Sequence, residues 1–236
     1  MGYGMARALL AAGHVTYGYD INPAQVARLV ADGGAKGDLA DVAPQMDVAV
    51  VVVLNAGQTQ DVLFGDNGNV KLMKPGSVVV ACATVPPAFA RDMSARCANQ
   101  GVHYLDAPIS GGAAKAAQGR VSIMAAGAAA AFDAAGPALA AMAGRVLHLG
   151  DAAGAGSARK AVNQLLAGVH IAAMAEAMTL GMTQGVTPDT FAQVIPDCAG
   201  TSWMLENRAP HIVAGDYTPR SSVNIWPKDL GIVLDI

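Results

Sequence analysis

The sequence predicts an α/β domain built on a doubly wound parallel sheet, followed by an all-α domain. Up to about residue 150, short β-branched and apolar runs alternate with alanine-rich stretches of helical character. Such alternation is typical of strands that are joined by helices packed on both faces of a parallel sheet. After the small-residue segment 150–156 no strand pattern returns. We therefore predict two domains, residues 1–150 and residues 151–236.

Five apolar runs predict the strands, because Gly, Pro, Asp or Asn bounds each of them. These runs are residues 15–19, 48–54, 78–82, 102–105 and 146–149. Helices are predicted at residues 1–10, 23–32 and 86–100, the last with two prolines in its first turn. A long apolar helix is predicted over residues 161–184, and residues 228–236 have an amphipathic helical pattern.

The composition excludes several classes of protein. The 236 residues carry a formal net charge of −3, so no basic surface for nucleic acid is expected. The apolar helix meets Glu176 before the roughly 20 residues that a bilayer requires. The start of the chain has no cationic-then-apolar leader, and the cysteines and histidines lack metal-ligand spacing. We expect a cytoplasmic protein that binds no nucleic acid, membrane or metal.

The most informative segment reads Asp-Ala-Pro-Ile-Ser-Gly-Gly over residues 106–112 and follows a predicted strand. Because Gly111 and Gly112 lack a Cβ, a small anion can approach their N–H groups beside the Ser110 hydroxyl. We therefore predict that these three residues bind a substrate carboxylate. The alternative is an ordinary strand-to-helix turn, which the short segment on its own would favour.

A second polar group lies at the start of the long apolar helix. Lys160, Asn163 and Gln164 are spaced i, i+3 and i+4, so they share one helix face. Desolvation there is expected to lower the pKa of Lys160 toward the range of a general acid or base. The alternative is a solvated lysine with two amides that bond between helices. Together with the Ser110 turn, the group predicts a site for a small hydroxy acid.

The beginning of the chain indicates a dinucleotide. Gly2 opens a helical pattern, and Asp20 follows it by eighteen residues. In a βαβ unit an acid at about this spacing binds the adenosine ribose and repels a 2′-phosphate, so NAD is predicted over NADP. The alternative is that Asp20 only caps a turn with Asn22 and Pro23.

The strand and the first two glycines that normally open such a unit are not in the sequence. We therefore expect a Rossmann-type domain whose first strand is missing, and a helical domain that is incomplete at its C-terminus. Without the glycine loop, residues 1–236 alone are expected to bind NAD weakly and to have little or no activity.

These motifs together resemble the β-hydroxyacid dehydrogenase family, which includes 3-hydroxyisobutyrate dehydrogenase and tartronate semialdehyde reductase. Residues 106–119 are similar to its substrate motif, D-x-P-x-S-G-G followed by A-x-x-G, and residues 154–164 to its catalytic helix, G-x-G-x-x-x-K-x-x-N-[NQ]. The resemblance implies that Lys160 transfers the proton and Asn163 orients the reacting oxygen. It further implies that Gln164 or Lys228 contacts the remaining hydroxyls.

The resemblance also implies cofactor contacts. Lys228 begins a K-D-L segment whose lysine lies near cofactor and substrate in the family, while Leu54, Asn55 and Thr84 fall in its cofactor-contacting loops. The family usually has Pro at position 55 and Ser at position 83, where this chain has Asn and Ala. Gly2 and Asp20 complete the predicted cofactor set.

Residues 164–173, 202–208 and 215–220 resemble the L-threonate dehydrogenase branch. This implies NAD-dependent oxidation of L-threonate to its 2-oxo acid. The alternatives are 3-hydroxyisobutyrate dehydrogenase or tartronate semialdehyde reductase activity, and a catalytically inactive dinucleotide-binding or oligomerisation module. A 6-phosphogluconate-type decarboxylase would have His in place of Asn163.

The helix over residues 161–184 carries Glu176 as its one formally charged residue. A helix that is apolar on nearly all sides is buried, so we expect it to lie at a subunit contact of a homodimer or homotetramer. The alternative is a helix buried in the core of a single subunit.

Overall fold

The computed structural model describes residues 1–218 and 221–236. The chain divides into two compact units, Met1–Lys160 and Ala161–Ile236. The first unit combines helices and strands, and the described residues of the second are helical or irregular. The predicted fold class is confirmed. Residues 219 and 220, which end the resemblance segment 215–220, lie outside the described residues.

The first unit contains all six strands of the described chain. They are β1 Val48–Val51, β2 Val78–Ala81, β3 His103–Asp106, β4 Ile109–Ser110, β5 Val121–Ala125 and β6 Ala143–His148. Its helices are α1 Gly2–Ala11, α2 Pro23–Ala31, α3 Leu39–Val42, α4 Ala56–Phe64, α5 Pro87–Ala98, α6 Gly112–Ala117 and α7 Ala129–Met142. Helix α8, Ala155–Thr183, begins in this unit, and α9 Pro188–Val194, α10 Trp203–Val213 and α11 Ile225–Leu234 follow it.

The strands form two sheets rather than the single parallel sheet that the sequence suggested. One sheet has the order β1-β2-β3 and is parallel throughout. In the other, β5 pairs with β4 antiparallel and with β6 parallel. The sequence prediction missed β4 and β5, because two residues are too few for a period and a serine interrupts the apolar run Val-Ser-Ile-Met-Ala.

The predicted strand at residues 15–19 was wrong. Only a single bridge between Tyr17 and Ala35 forms there. A strand needs a ladder of backbone hydrogen bonds to a neighbour, and here Thr16 offers its carbonyl to the Ala35 N–H at 2.9 Å without a continued pairing. Val15 remains 78% exposed, so the apolar run does not lie in the core.

Strand β2 shows why the parallel strands could be predicted. Val78 and Val80 belong to one buried cluster, and Val79 and Ala81 belong to a second cluster on the opposite face. Successive side chains of a strand point to opposite faces. A strand that is buried on both faces therefore appears in the sequence as a continuous apolar run.

The second unit has its own small core. Met174 and Met178 of α8 pack with Phe191 of α9 and with Leu205 and Ala209 of α10. Helix α11 lies close to α8, since a Cβ on Gly168 would come within 3.0 Å of the Leu230 side chain.

Much of the apolar surface of α8 is uncovered in the described chain. Val162, Leu166, Val169 and Leu180 are each more than half exposed. By length and composition alone, α8 is also apolar enough to cross a membrane, with a mean hydropathy of 1.5. A single helix of this kind is weak evidence for a span, because apolar helices of globular proteins have the same length and composition.

Candidate active site

The predicted carboxylate-binding turn lies between β4 and α6. Ser110 ends β4, where it pairs with Ser122 of β5. Gly111 has a φ of 127° and Gly112 a φ of 72°, a region that residues with a Cβ rarely adopt. A Cβ on Gly111 would also meet the Lys115 stem, at 2.7 Å from Cδ. Both glycines are therefore required by the backbone, which places consecutive N–H groups directly after the Ser110 hydroxyl.

Asp106, four residues before Ser110, is buried with 1% of its surface exposed. Its Oδ2 accepts hydrogen bonds from the N–H groups of Gly154 and Ser157, both at 2.8 Å, and its Oδ1 accepts one from the Ser157 hydroxyl at 2.6 Å. Burial raises the pKa of this carboxyl above its ordinary value, while the hydrogen bonds from Ser157 and Gly154 lower it. Asp106 thus caps the first turn of α8.

Lys160 lies one turn further along α8 and exposes only 6% of its surface. The helix starts very close to the strands: a Cβ on Gly156 would come within 2.5 Å of the carbonyl oxygens of Asp106 and Met124. The predicted burial of Lys160 is therefore present in the structure. The Ser110 turn and Lys160 belong to the same compact unit, which ends at Lys160.

Three predicted residues of the second unit are joined by an acid that sequence reasoning gave no role. Asp229, 2% exposed, accepts a hydrogen bond from Gln164 Nε2 at 2.6 Å. Lys228 Nζ lies 2.6 Å from Asp229 Oδ1. Asn163 Nδ2 donates to Gln164 Oε1 at 2.9 Å. The K-D-L segment contained Asp229, but its partner is 65 residues away, a separation that no local pattern shows.

The donors and acceptors of this hydrogen-bond network are fixed by Asp229. An ionised carboxylate only accepts hydrogen bonds, so Gln164 must turn its NH₂ group toward Asp229 and its carbonyl toward Asn163. Asn163 then directs its NH₂ group at Gln164, and its Oδ1 faces away from Gln164. The buried Asp229 therefore determines that Asn163 presents an acceptor.

The predicted cofactor residues of the first unit lie at helix starts and strand ends. Gly2 begins α1, where a Cβ would come within 3.3 Å of Val52 Cβ; close helix–strand packing is what the last glycine of a dinucleotide fingerprint permits. Asn55 caps α4 by accepting the Gln58 N–H at 2.9 Å, and the Leu54 N–H donates to Gln58 Oε1 at 2.8 Å. Leu54 and Asn55 follow β1, and Thr84 follows β2.

Asp20 makes the turn-capping contact that the alternative interpretation of this residue predicted. Its Oδ1 accepts the Asn22 N–H at 2.8 Å, directly before α2 begins at Pro23. The side chain is exposed, and one capped N–H leaves the second carboxylate oxygen on the solvent side. The contact and a ribose-binding role are therefore compatible.

Histidine and acidic residues do not gather into a metal site in the part of the chain that the structure describes. No group of three or more His, Cys, Asp or Glu residues is placed there to hold an ion. Gly154 and Ser157 instead present N–H and hydroxyl groups to the buried carboxylate of Asp106.

The sequence matches two known domain profiles in succession. The profile described as the NAD binding domain of 6-phosphogluconate dehydrogenase matches residues 1–150. The profile described as NAD-binding of NADP-dependent 3-hydroxyisobutyrate dehydrogenase matches residues 154–236.

The chain belongs to the 3-hydroxyisobutyrate dehydrogenase family. An L-threonate dehydrogenase from Cupriavidus necator is 52% identical over 236 residues, which are 100% of this chain and 80% of that protein. A 3-hydroxyisobutyrate dehydrogenase from Pseudomonas aeruginosa is 34% identical, over 99% of this chain and 81% of that protein. The crystal structure of a 3-hydroxyisobutyrate dehydrogenase from Salmonella typhimurium superposes with a TM-score of 0.91 at 48% identity, and covers 99% of this chain and 82% of that one.

As a member of this family, the chain is an NAD(P)-dependent hydroxy-acid dehydrogenase. The residues present fit the nucleotide on structural grounds. The tight approach of Gly2 to Val52 and the loops after β1 and β2 match the way open α/β sheets bind dinucleotides at the carboxyl ends of their strands.

Proposed function

We propose that this dehydrogenase oxidises L-threonate to its 2-oxo acid with NAD. The observation that carries the proposal is the difference in similarity within the family. The L-threonate dehydrogenase from C. necator is 52% identical to this chain, whereas the 3-hydroxyisobutyrate dehydrogenase from P. aeruginosa is 34% identical. Both alignments span essentially the whole chain, so the difference is not caused by coverage.

The substrate carboxylate binds at the Ser110 turn in this proposal. The Ser110 hydroxyl and the N–H groups of Gly111 and Gly112 donate to its oxygens. The positive φ values of both glycines support this role, because they turn successive N–H groups toward one side of the chain. Fixing the carboxylate selects which carbon of the acid is presented for oxidation.

Lys160 moves the proton. A nicotinamide bound by this unit would supply the acceptor for the hydride of the carbinol carbon. Neutral Lys160 takes the hydroxyl proton on Nζ during oxidation, and its ammonium returns a proton to the forming alkoxide during reduction. Its 6% exposure supports the assignment, since a buried side chain is held in place at the distance that proton transfer requires.

Asn163 and Gln164 recognise hydroxyl groups. Because Asp229 fixes the direction of the amides, Asn163 Oδ1 accepts a hydrogen bond from a substrate hydroxyl and holds the reacting oxygen in place. Lys228, next to Asp229 on α11, contacts the cofactor or a remaining hydroxyl. A four-carbon sugar acid offers these groups more partners than 3-hydroxyisobutyrate does, since it carries three hydroxyls.

Asp20 selects NAD over NADP. Its exposed carboxylate accepts hydrogen bonds from the ribose hydroxyls and repels a 2′-phosphate. Residues 21–23 are Ile, Asn and Pro, so no arginine follows Asp20 to neutralise that phosphate.

A second candidate is 3-hydroxyisobutyrate oxidation, which the name of the 48% identical Salmonella structure favours. Steady-state kinetics of the full-length protein separate the two activities, with kcat/KM measured for L-threonate and 3-hydroxyisobutyrate, and for tartronate semialdehyde reduction, each with both cofactors. We expect the highest value for L-threonate with NAD. A higher value for 3-hydroxyisobutyrate or with NADP would overturn the assignment, and no turnover at all would favour an inactive nucleotide-binding module.

We further infer that the protein works in the cytoplasm as a homodimer or homotetramer. The exposed apolar side chains of α8, among them Val162, Leu166 and Val169, support burial against another copy of the chain rather than exposure to water. Sedimentation velocity at micromolar concentration tests this inference. A single monomeric species would contradict it.

A further inference from the structure

The carboxylate of Asp106 connects two parts of the first unit that are far apart in sequence. Strand β3 ends at Asp106, and the Ser110 turn follows four residues later. The three donors to its side chain, the N–H groups of Gly154 and Ser157 and the Ser157 hydroxyl, lie 48 and 51 residues downstream. They form the loop and first turn that lead to Lys160.

The backbone of Asp106 is held as firmly as its side chain. Its N–H donates to the Ala126 carbonyl at 3.0 Å, and its carbonyl accepts the Ala126 N–H at 2.9 Å. This pair is the bridge that joins the last residue of β3 to Ala126, the residue directly after β5. The Asp106 carbonyl also limits how closely α8 can approach, because a Cβ on Gly156 would come within 2.5 Å of it.

Helix capping alone does not account for the three contacts that the Asp106 side chain makes. A buried carboxylate is costly to desolvate, and the contacts described for the Asp106 side chain are to neutral N–H and O–H donors. The helix N-terminus offsets part of that cost. Ser, Thr or Asn caps a helix about as well without the charge. A residue that reaches three donors from a neighbouring strand, however, fixes the helix against the sheet.

We propose that Asp106 is a positioning residue of the dehydrogenase reaction: its carboxylate sets the place of Lys160 relative to the Ser110 turn. The proposal rests on the roles proposed above for Lys160 and Ser110. Ser157 and Lys160 are three residues apart, so a shift of the first turn of α8 moves Nζ by a similar amount. A misplacement of about 1 Å can cost about 10²-fold in rate.

The experiment compares Asp106→Ala, Asp106→Asn and Ser157→Ala by steady-state kinetics and cofactor titration. Asn retains the geometry, since its Oδ1 can accept both N–H groups while its Nδ2 donates to the Ser157 hydroxyl. We expect kcat to fall about 10²-fold in Asp106→Ala, less in Ser157→Ala, and to stay within about fivefold of wild type in Asp106→Asn. The cofactor Kd should be unchanged in all three.

Leu63→Ala is the control for lost stability. Leu63 is fully buried in a core cluster that contains neither Lys160 nor Ser110, so the variant lowers Tm by leaving a cavity among other residues. We expect it to keep its kcat at temperatures below the transition. An equal loss of kcat in Leu63→Ala and Asp106→Ala would show a structural role only and would overturn the proposal. A loss in Asp106→Asn as large as in Asp106→Ala would overturn it as well.

A crystal structure of Asp106→Ala separates this proposal from the proposed function. We expect Lys160 to be displaced relative to Ser110, and an unchanged position would overturn the positioning role. If the wild type oxidises no hydroxy acid, the proposed function fails while this structural comparison still decides the placement of Lys160. If Asp106→Ala does not fold, the kinetics and the crystal structures of Ser157→Ala and Asp106→Asn are compared instead.

Discussion

Gln164 of α8 donates a hydrogen bond from Nε2 to Oδ2 of Asp229 in α11 at 2.6 Å, with both residues buried. The same carboxylate is paired with Lys228 on its other oxygen. One buried acid therefore orders the predicted site residues of the second unit.

Asp229→Asn should weaken this network. An amide at 229 still accepts from Gln164, but its NH₂ group then faces the Lys228 ammonium, so a donor meets a donor. We expect the free energy of unfolding to fall by about 1–3 kcal/mol, and KM for L-threonate to rise because Asn163 is no longer held in one orientation. Denaturant titration and steady-state kinetics check the two effects.

The control is Asp189→Asn, at an exposed carboxylate that accepts from Gln193 Nε2 at 2.8 Å. It removes the same charge from the same kind of pair at the surface, where the change should be within about 0.5 kcal/mol. If the two substitutions lowered the free energy of unfolding equally, the burial of Asp229 would contribute nothing to stability.

Lys115 should strengthen substrate binding without taking part in the chemistry. Its stem lies against Gly111, so its ammonium adds positive charge beside the predicted carboxylate turn. We expect Lys115→Met, which keeps the stem, to raise KM for L-threonate several-fold with kcat unchanged, and the difference to shrink at high salt. Lys71→Met, at a lysine bonded to the Asp66 carbonyl, should leave both constants unaltered. A fall in kcat with unchanged KM would refute this role of Lys115.

The stability of the protein should depend on pH through Asp106. Burial raises its folded pKa above the ordinary value of 3.8, so the folded state holds this proton to higher pH than the unfolded state does. Its contribution is therefore fully present below 3.8 and is lost as pH rises through the raised folded value. We expect the stability of wild type relative to Asp106→Asn to decline over that window and then to level off. Urea titrations between pH 3.5 and 7 measure it, and a relative gain for the wild type would contradict the sign.

The parts of the fold that could be predicted are those determined by local pattern. Strand β2 is buried on both faces and is therefore a continuous run of valines and alanine. Residues 15–19 also contain β-branched and aromatic residues but form only one bridge, because a strand also requires a neighbour that the pattern does not show.

The candidate site likewise has a part that the sequence predicted and a part that it did not. Ser110, the glycines after it and Lys160 were predicted from residue type and spacing. Their partners could not: the hydrogen bonds of Asp106 to Ser157 and of Gln164 to Asp229 join residues 51 and 65 positions apart. These bonds depend on how helices pack, and helix packing leaves no local signature in the sequence.

The most direct test of the account is the rate of NADH formation from L-threonate by Lys160→Met in the full-length enzyme, followed by stopped flow beside the full-length wild type. Methionine keeps the bulk of lysine and removes the ionisable group, so we expect kcat to fall by about 10²–10⁴-fold while the Kd for NAD stays unchanged. Lys160→Arg should fail nearly as badly, because a guanidinium does not give up its proton to become a base. Turnover close to wild type in either variant would contradict the assignment of proton transfer to Lys160, and Lys228 would be the next residue to test.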